Sequence, residues 1–308
     1  MATSYALLIG IADYKGLTPI PSAVMDVDKL HEVLVNPGGF PPDNVEVLKN
    51  PNLARMRSEI ESFYKNKRHD DLLLLYYSGH GDKNKDRQLL LCSAESDRHK
   101  DDELIQSTAL LVREILTYME HSASKRQVLI LDCCYSGAVL KGMDNFKGKN
   151  GKNDYEHLFG GVGRVILTSS SNVEPSRASE SRTGLSPYTR FLVEGIETGA
   201  ADQRQRGWVD ATDLHNFTRL KVQQIYRGMN PKIFVFGECD MRICKVLKDS
   251  TAIYTQRVEK YAAIHNGELP ENVKELLERL RAFLELSEDD AKKVQENTLK
   301  PFAEYQCT

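Results

Sequence analysis

Two short stretches carry side chains suited to nucleophilic chemistry: Tyr77-Ser78-Gly79-His80-Gly81 and Asp132-Cys133-Cys134-Tyr135-Ser136-Gly137. A free thiol titrates near about 8.5 and is only a few per cent thiolate at neutral pH, so a nucleophilic cysteine gains from a nearby imidazole. Cys134 is assigned as the nucleophile of an acyl transfer, and His80 as the base or imidazolium that later protonates the leaving amine. Either residue alone is more often structural; their joint placement, each just beyond a strand-like run, changes the balance. Gly79, Gly81 and Gly137 allow tight turns and close approach of a peptide to the thiol. No third member of the site is readable.

The elements that must position these groups follow from the hydrophobic pattern. Leu72 to Tyr77 is uniformly apolar and Gln127 to Asp132 nearly so, which predicts central parallel strands covered on both faces. In an open α/β sheet, reactive groups gather beyond the carboxyl ends of the strands, so neighbouring strands here would deliver His80 and Cys134 to one edge. Tyr5 to Ile11 reads as a first strand and Val45 to Leu48 as another. Helices are expected from Ala23 to Val35, Ala54 to Tyr64 and Leu110 to Met119. Further on, Arg164 to Ser169 reads as a strand, Pro187 to Thr198 and Asp210 to Tyr226 as helices, and Lys232 to Phe236 as a final strand. The alternation predicts an α/β fold, a three-layer sandwich with a mostly parallel sheet of about six strands and helices on both faces.

Composition limits the alternatives. The 308 residues carry 41 Lys plus Arg against 44 Asp plus Glu, a formal charge of −3, which disfavours a nucleic-acid binder. With 41% hydrophobic and 28% charged residues, the chain reads as globular rather than disordered. Its apolar runs fall short of the roughly 20 residues that span a bilayer, and no secretory signal is recognisable, so no membrane partner and a cytoplasmic location are expected. Six cysteines, at 92, 133, 134, 239, 244 and 307, form neither a CxxC pair nor a recurrent spacing, against a zinc ribbon or disulfide scaffold.

The two stretches resemble the catalytic-histidine and catalytic-cysteine motifs of the caspase-like cysteine peptidases, in particular the metacaspase and prokaryotic caspase-like branch. His80 and Cys134 stand roughly fifty positions apart, as in caspases. The nucleophile of the family motif lies two residues after the aspartate, which maps to Cys134 and leaves Cys133 as a bystander. Tyr135 departs from the histidine common in metacaspases. The resemblance covers roughly residues 5 to 245, including Leu7-Leu8-Ile9-Gly10-Ile11 as first strand and Arg164 to Ser171 in a smaller second half. It implies a cysteine endopeptidase acting after Arg or Lys, with Asp132 and Asp26 as an acidic recess for the basic side chain. It also implies an oxyanion hole made by the N–H groups of Gly81 and Cys134. A guanidinium or ammonium entering a partly desolvated cleft needs such carboxylates; Asp28 competes with Asp26 for the second place.

Lys141 to Asn153 is rich in lysine and glycine and reads as an exposed linker. In an enzyme that prefers basic residues, Lys141, Lys147, Lys149 and Lys152 become candidate self-cleavage sites; the plainer reading is that they keep a loop soluble. Some metacaspases require calcium. Asp82, Asp86, Asp97, Asp101, Asp102 and Glu103 offer oxygen donors without EF-hand spacing, so Ca2+ stays open and no metal site is assigned.

The expected domain plan is a peptidase domain over 1–248, with a large part to 140, a linker over 141–160 and a small part from 161, followed by a helical module over 249–308. In that module Val273, Leu276, Leu277, Leu280 and Leu284 form a helical stripe, and Ser287 to Asp290 a capping box for a helix ending before Pro301. The stripe is expected to pack within a helical hairpin or on the main domain rather than to bind a partner. Substrates would be proteins or peptides with Arg or Lys at the cleavage site. The abrupt end at Tyr305 to Thr308 suits a chain joined to an effector domain or a regulatory protein. The competing reading is a catalytically idle caspase-like scaffold acting through its helical tail; a nonproteolytic thiol hydrolase is a third.

Overall fold

The computed structural model describes residues 2–136, 139, 163–169, 184–204, 206–226, 228–237, 241–246, 250–284 and 286–305. The chain divides into two compact units, 1–246 and 247–308.

The first unit is built on a six-stranded sheet with strands β1 (Ser4–Gly10), β2 (Val45–Lys49), β3 (Leu72–Ser78), β7 (Arg126–Asp132), β8 (Gly163–Thr168) and β10 (Lys232–Phe236) in the order β10-β8-β7-β3-β1-β2. All neighbours are parallel except β10, which runs antiparallel to β8. Every residue of β3 is buried, as its uniform apolarity predicts. Leu72, Leu74 and Tyr76 join one core with Val128, Ile130, helix α1 (Ser22–Val35) and the Pro187–Glu197 and Ala211–Ile225 helices. Leu73, Leu75 and Tyr77 join the other, with Leu129, Leu131, helix α2 (Leu53–Tyr64) and helix α3 (Val112–His121). This alternation is the period of two that pleating imposes. Each fully buried leucine contributes roughly 1.5–3 kcal/mol, so the two cores hold the strands in register.

A region between β3 and β7 departs from the simple alternation. Strands β4 (Gly81–Lys83), β5 (Leu89–Cys92) and β6 (Ala109–Leu111) form a separate antiparallel sheet, and α3 starts at Val112 rather than Leu110. These strands are three or four residues long, too short to show a period. Leu89, Leu91 and Leu110 seat the small sheet against the second core. Strands β9 (Trp208–Asp210) and β11 (Arg242–Lys245) make a further antiparallel pair.

The second unit holds helices Ser250–Ile264, Glu271–Phe283 and Glu288–Tyr305. Val273 and Leu277 bury against Tyr254, Val258 and Val294, with Leu280 and Leu284 partly covered, so most of the apolar stripe packs within its own unit; Leu276 stays 48% exposed. Ser287 accepts the Asp290 N–H at 3.1 Å and donates to its carboxylate at 2.7 Å, as a cap should. The last helix does not end before Pro301 but runs through it. A proline removes a single N–H from the ladder, and here the turns on both sides persist.

Gly10 ends β1 under α1. A Cβ there would lie 2.3 Å from the Ala23 carbonyl oxygen and 3.0 Å from Val27 Cγ2. Gly10→Ala should therefore cost about 1–3 kcal/mol through overpacking, read as a lowered urea midpoint with an unchanged slope.

Candidate active site at the carboxyl edge of the sheet

The register of β3 with β7 pairs Ser78 with Asp132. His80 and Cys134 each lie two residues beyond that pair, so two loops leave adjacent strands at the same level. The loops touch: a Cβ on Gly81 would come 2.5 Å from the Cys134 carbonyl oxygen and 3.0 Å from Cys133 Sγ. Only glycine allows the residue after His80 to pass so close to the Cys134 backbone. Cys134 is half-buried, while Cys133 turns into the second core. Burial pushes the Cys133 thiol well up, with the neighbouring Cys134 adding to it, as befits an inert sulfur.

His80 is fixed by groups that the sequence did not single out. Its backbone N–H donates to the Tyr14 hydroxyl at 2.8 Å, and that hydroxyl donates to the Ile11 carbonyl at 2.9 Å. The Tyr14 ring lies 4.8 Å from the imidazole, tilted by 57°. The Tyr77 hydroxyl reaches the carbonyl oxygens of His80 and Cys92 at 2.7 and 2.8 Å. The hydrogen-bond partner of the imidazole is a backbone group: Nε2 lies 2.8 Å from the Thr18 carbonyl oxygen. A carbonyl only accepts, so Nε2 carries the proton and Nδ1 is the free base in the neutral ring. Burial lowers the His80 pKa, the Thr18 bond opposes it, Arg98 lowers it further and Asp82 raises it. The net shift keeps the ring neutral and ready to accept a proton. Tyr14 and Thr18 follow β1, the strand beside β3; their place at the carboxyl edge was the available signal.

Asp132 follows the face parity of Val128 and Ile130 and so turns toward α1. Its Oδ2 accepts hydrogen bonds from Ser186 Oγ at 2.5 Å and Thr189 Oγ1 at 2.9 Å. Tyr76 lies 2.5 Å from Thr189 Oγ1, which it supplies with a proton when Thr189 donates to Asp132. Asp26, on α1 and fully buried, accepts from the Ser186 N–H at 2.8 Å and from Ser78 Oγ at 2.9 Å. Ser186 thus ties both carboxylates together while capping the helix that begins at Pro187. Asp28, the rival acid, is exposed and pairs with Lys49 at 2.7 Å. Burial, then repulsion from Asp132, pushes the Asp26 carboxyl well above its usual range against the pull of Ser186 and Ser78. Burial likewise raises Asp132, opposed by Ser186, Ser169 and Thr189. Ser78, Ser186 and Thr189 were not foreseen. Ser186-Pro187 is legible as a helix start, but what the cap faces is not.

Four of the six other acidic candidates engage cations. Asp82 and Asp102 pair with Arg98 at 3.1 and 3.7 Å, Asp97 with Lys15 at 3.4 Å, and Glu103 with Lys85 at 3.6 Å. Among the described residues no group of three or more His, Cys, Asp or Glu converges to hold a metal ion. These carboxylates do not fit a calcium site, and no step is derived through one. Lys141, Lys147, Lys149 and Lys152 lie outside the described residues. Among the described residues no helix is long and apolar enough to cross a membrane.

A mostly parallel sheet flanked by helices, with a thiol and an imidazole level at its carboxyl edge, defines a caspase-like fold. The caspase-domain family profile matches residues 3–245, and the chain belongs to that family, whose chemistry is cysteine-peptidase hydrolysis. Among solved structures, a protein from Geobacter sulfurreducens is similar at 12% identity and a TM-score of 0.51, over 80% of this chain and 98% of that one. Caspase-1 from Spodoptera frugiperda is similar at 14% identity and a TM-score of 0.50, over 80% and 92%. At such identities the likeness is one of fold. Comparison with curated proteins gives no match.

The buried acids make stability depend on pH in a stated direction. A carboxyl whose folded pKa is raised holds its proton more tightly in the fold than in the unfolded chain, so its ionisation opposes folding. Its contribution is fully present below the ordinary carboxyl value of about 4 and is lost as pH rises through the raised value. The urea midpoint of the wild type should fall across that window more steeply than that of Asp26→Asn. Comparing the two cancels His80 and His215, whose lowered pKa values work in the opposite sense. Equal slopes would contradict a raised Asp26.

Proposed function

We propose that this protein is a cysteine endopeptidase of metacaspase type that hydrolyses peptide bonds after Arg or Lys, with Cys134 as nucleophile and His80 as general base. The observation that carries the reading is the pair of buried Asp26 and half-buried Asp132, gathered by Ser186 beside the loop that bears Cys134. Among the described residues only amide and hydroxyl donors serve these carboxylates. Two neighbouring acids, both raised by burial and Asp26 further by Asp132, are relieved by a cation entering between them. A guanidinium offers donors in a fork that suits two carboxylates, and an ammonium offers the charge.

The chemistry then follows from the geometry. Nδ1 of His80 takes the proton from Cys134 Sγ, and the sulfur attacks the carbonyl carbon that follows the basic residue. The negative oxygen of the tetrahedral species is received by the N–H groups of Cys134 and Gly81, which the close approach of the two loops brings together. The Thr18 carbonyl, bonded to Nε2, favours the imidazolium that forms at this stage. His80 gives its proton to the departing amine, leaving a thioester on Cys134. Water, deprotonated by His80, then releases the acid product.

The peptidase domain is proposed over 1–248 and a helical module over 249–308. Self-processing at Lys141, Lys147, Lys149 or Lys152 and a cytoplasmic location belong to the same proposal. The scaffold reading has one observation of its own: Ile264, Leu276 and Phe283 of the helical unit are 60%, 48% and 56% exposed.

Cys134→Ala and His80→Ala should each lower kcat on an Arg-ended fluorogenic peptide to below about 10⁻³ of wild type with the fold retained by circular dichroism. An electrophilic Arg-peptide probe should add its mass at Cys134 and at no other cysteine. Asp132→Asn should raise KM for Arg substrates far more than for a Gln analogue. Full activity in either dyad variant would reject the mechanism, and no selective labelling would favour the scaffold. Incubated wild type should lose its intact mass while Cys134→Ala keeps it; identical intact chains would reject self-processing.

A further inference from the structure

Tyr135, which departs from the family's histidine, is 44% exposed and holds φ at +58°. A bulky residue rarely sits in that left-handed region. The ammonium of Lys83 stands 4.0 Å from the centroid of its ring, well within cation–π range. Lys83 ends β4, the strand that begins one residue after His80. The adjacent carboxylate is spent elsewhere: one Asp82 oxygen pairs with Arg98 at 3.1 Å and the other accepts the Lys83 backbone N–H at 2.7 Å. Among the described residues, no carboxylate pairs with the Lys83 ammonium, which faces an aromatic ring beside the nucleophile.

We propose that Lys83 and Tyr135 form a subsite for the departing side of the substrate, selecting an acidic group within the first three residues after the scissile bond. The inference rests on the peptidase reading and extends it. Its direction comes from the chemistry. His80 must protonate the leaving amine, so the departing chain lies on the side of His80, along which β4 continues. The basic side chain before the bond goes the other way, toward Asp26 and Asp132 on the α1 face, whereas the small sheet that β4 joins seats Leu89, Leu91 and Leu110 in the second core. Lys83 is three residues past His80, roughly 10 Å of extended strand, matching about three residues of an extended peptide. The Tyr135 ring holds the long lysine side chain over the thiol's neighbour, so less side-chain freedom is lost when an acid arrives. A carboxylate approaching from solvent meets an ammonium whose only described partner is a π face. Because the pair is exposed, the selection should be modest, about three- to fivefold, and weakened by salt.

The test uses the full chain and quenched peptides with Arg before the cleaved bond and Glu, Gln or Lys at each of the next three positions. The readout is the ratio of kcat/KM for Glu over Lys within each variant, which cancels any change in overall turnover. Wild type should favour Glu about three- to fivefold at one or more of the three positions at low salt. Lys83→Gln should bring the ratio near one, and Lys83→Glu should invert it. Tyr135→Ala should reduce the ratio. Peptides ending two residues after the bond, as free acid or amide, separate a side-chain carboxylate from a chain end; preference for either acid over its neutral form that disappears in Lys83→Gln supports the subsite. An unchanged ratio in Lys83→Glu would overturn the proposal while leaving the peptidase intact. Failure of the wild type to cleave any Arg peptide would overturn both.

Discussion

Everything at this site depends on one alignment: β3 and β7 run parallel with Ser78 opposite Asp132. Parallel pairing sends both chains out of the sheet in the same direction, and this register makes them leave at the same level. A slip of one residue would turn Asp132 away from α1 and the cysteine out of step with the histidine, because side chains alternate along a strand. The register is held by burial on both faces. Leu74, Tyr76, Val128 and Ile130 lock one core and Leu73, Leu75, Leu129 and Leu131 the other.

The same alternation divides the site's labour. Along β7, even-numbered residues face α1 and the helix that begins at Pro187, so Asp132 arrives beside Asp26 and Ser186. Odd-numbered residues face the second core, so Cys133 is buried there as a packing residue. Cys134 comes after pairing has ended, half-buried at the crossing between the two faces. The small sheet β4-β5-β6 then closes the second side and brings Gly81 against the Cys134 backbone. Asp26 with Asp132 and the small sheet consequently lie on opposite flanks of one thiol.

Much of this was legible in the residues. Two uniformly apolar runs announced central strands, and the groups just beyond them announced an edge site. Which of Asp26 and Asp28 faces inward was not readable, since both sit on a helix without a clear sign; Asp26 is enclosed and Asp28 is held by Lys49 at the surface. The small sheet was missed because its strands are too short to display a period. The Thr18 carbonyl was invisible for a different reason: every residue has a carbonyl, and only the path of the chain determines which one meets the imidazole. Pro301 misled because a proline argues against a helix interior on average, yet a ladder can lose one donor and continue.

The buried acids also show a tension between folding and function. Fully burying Asp26 beside Asp132 favours protonation and sets the pair against the fold once both ionise. An apolar pair of the same volume would hold α1 to the Pro187–Glu197 helix with less conflict. Under the proposed function, what the acids would supply instead is a defined cost that a cation removes on entry, converted into selectivity for the residue before the cleaved bond. Ser186 limits the cost: its N–H and hydroxyl serve both carboxylates while the same oxygen caps a helix, so one residue joins the stability of the second half to the charge of the recess. The donors converge on the carboxyl oxygens, and the Tyr76–Thr189–Asp132 chain orients them. Preorganisation of that kind would let an incoming charge, on the proposed reading, be stabilised without rearranging the sheet that keeps sulfur and imidazole level.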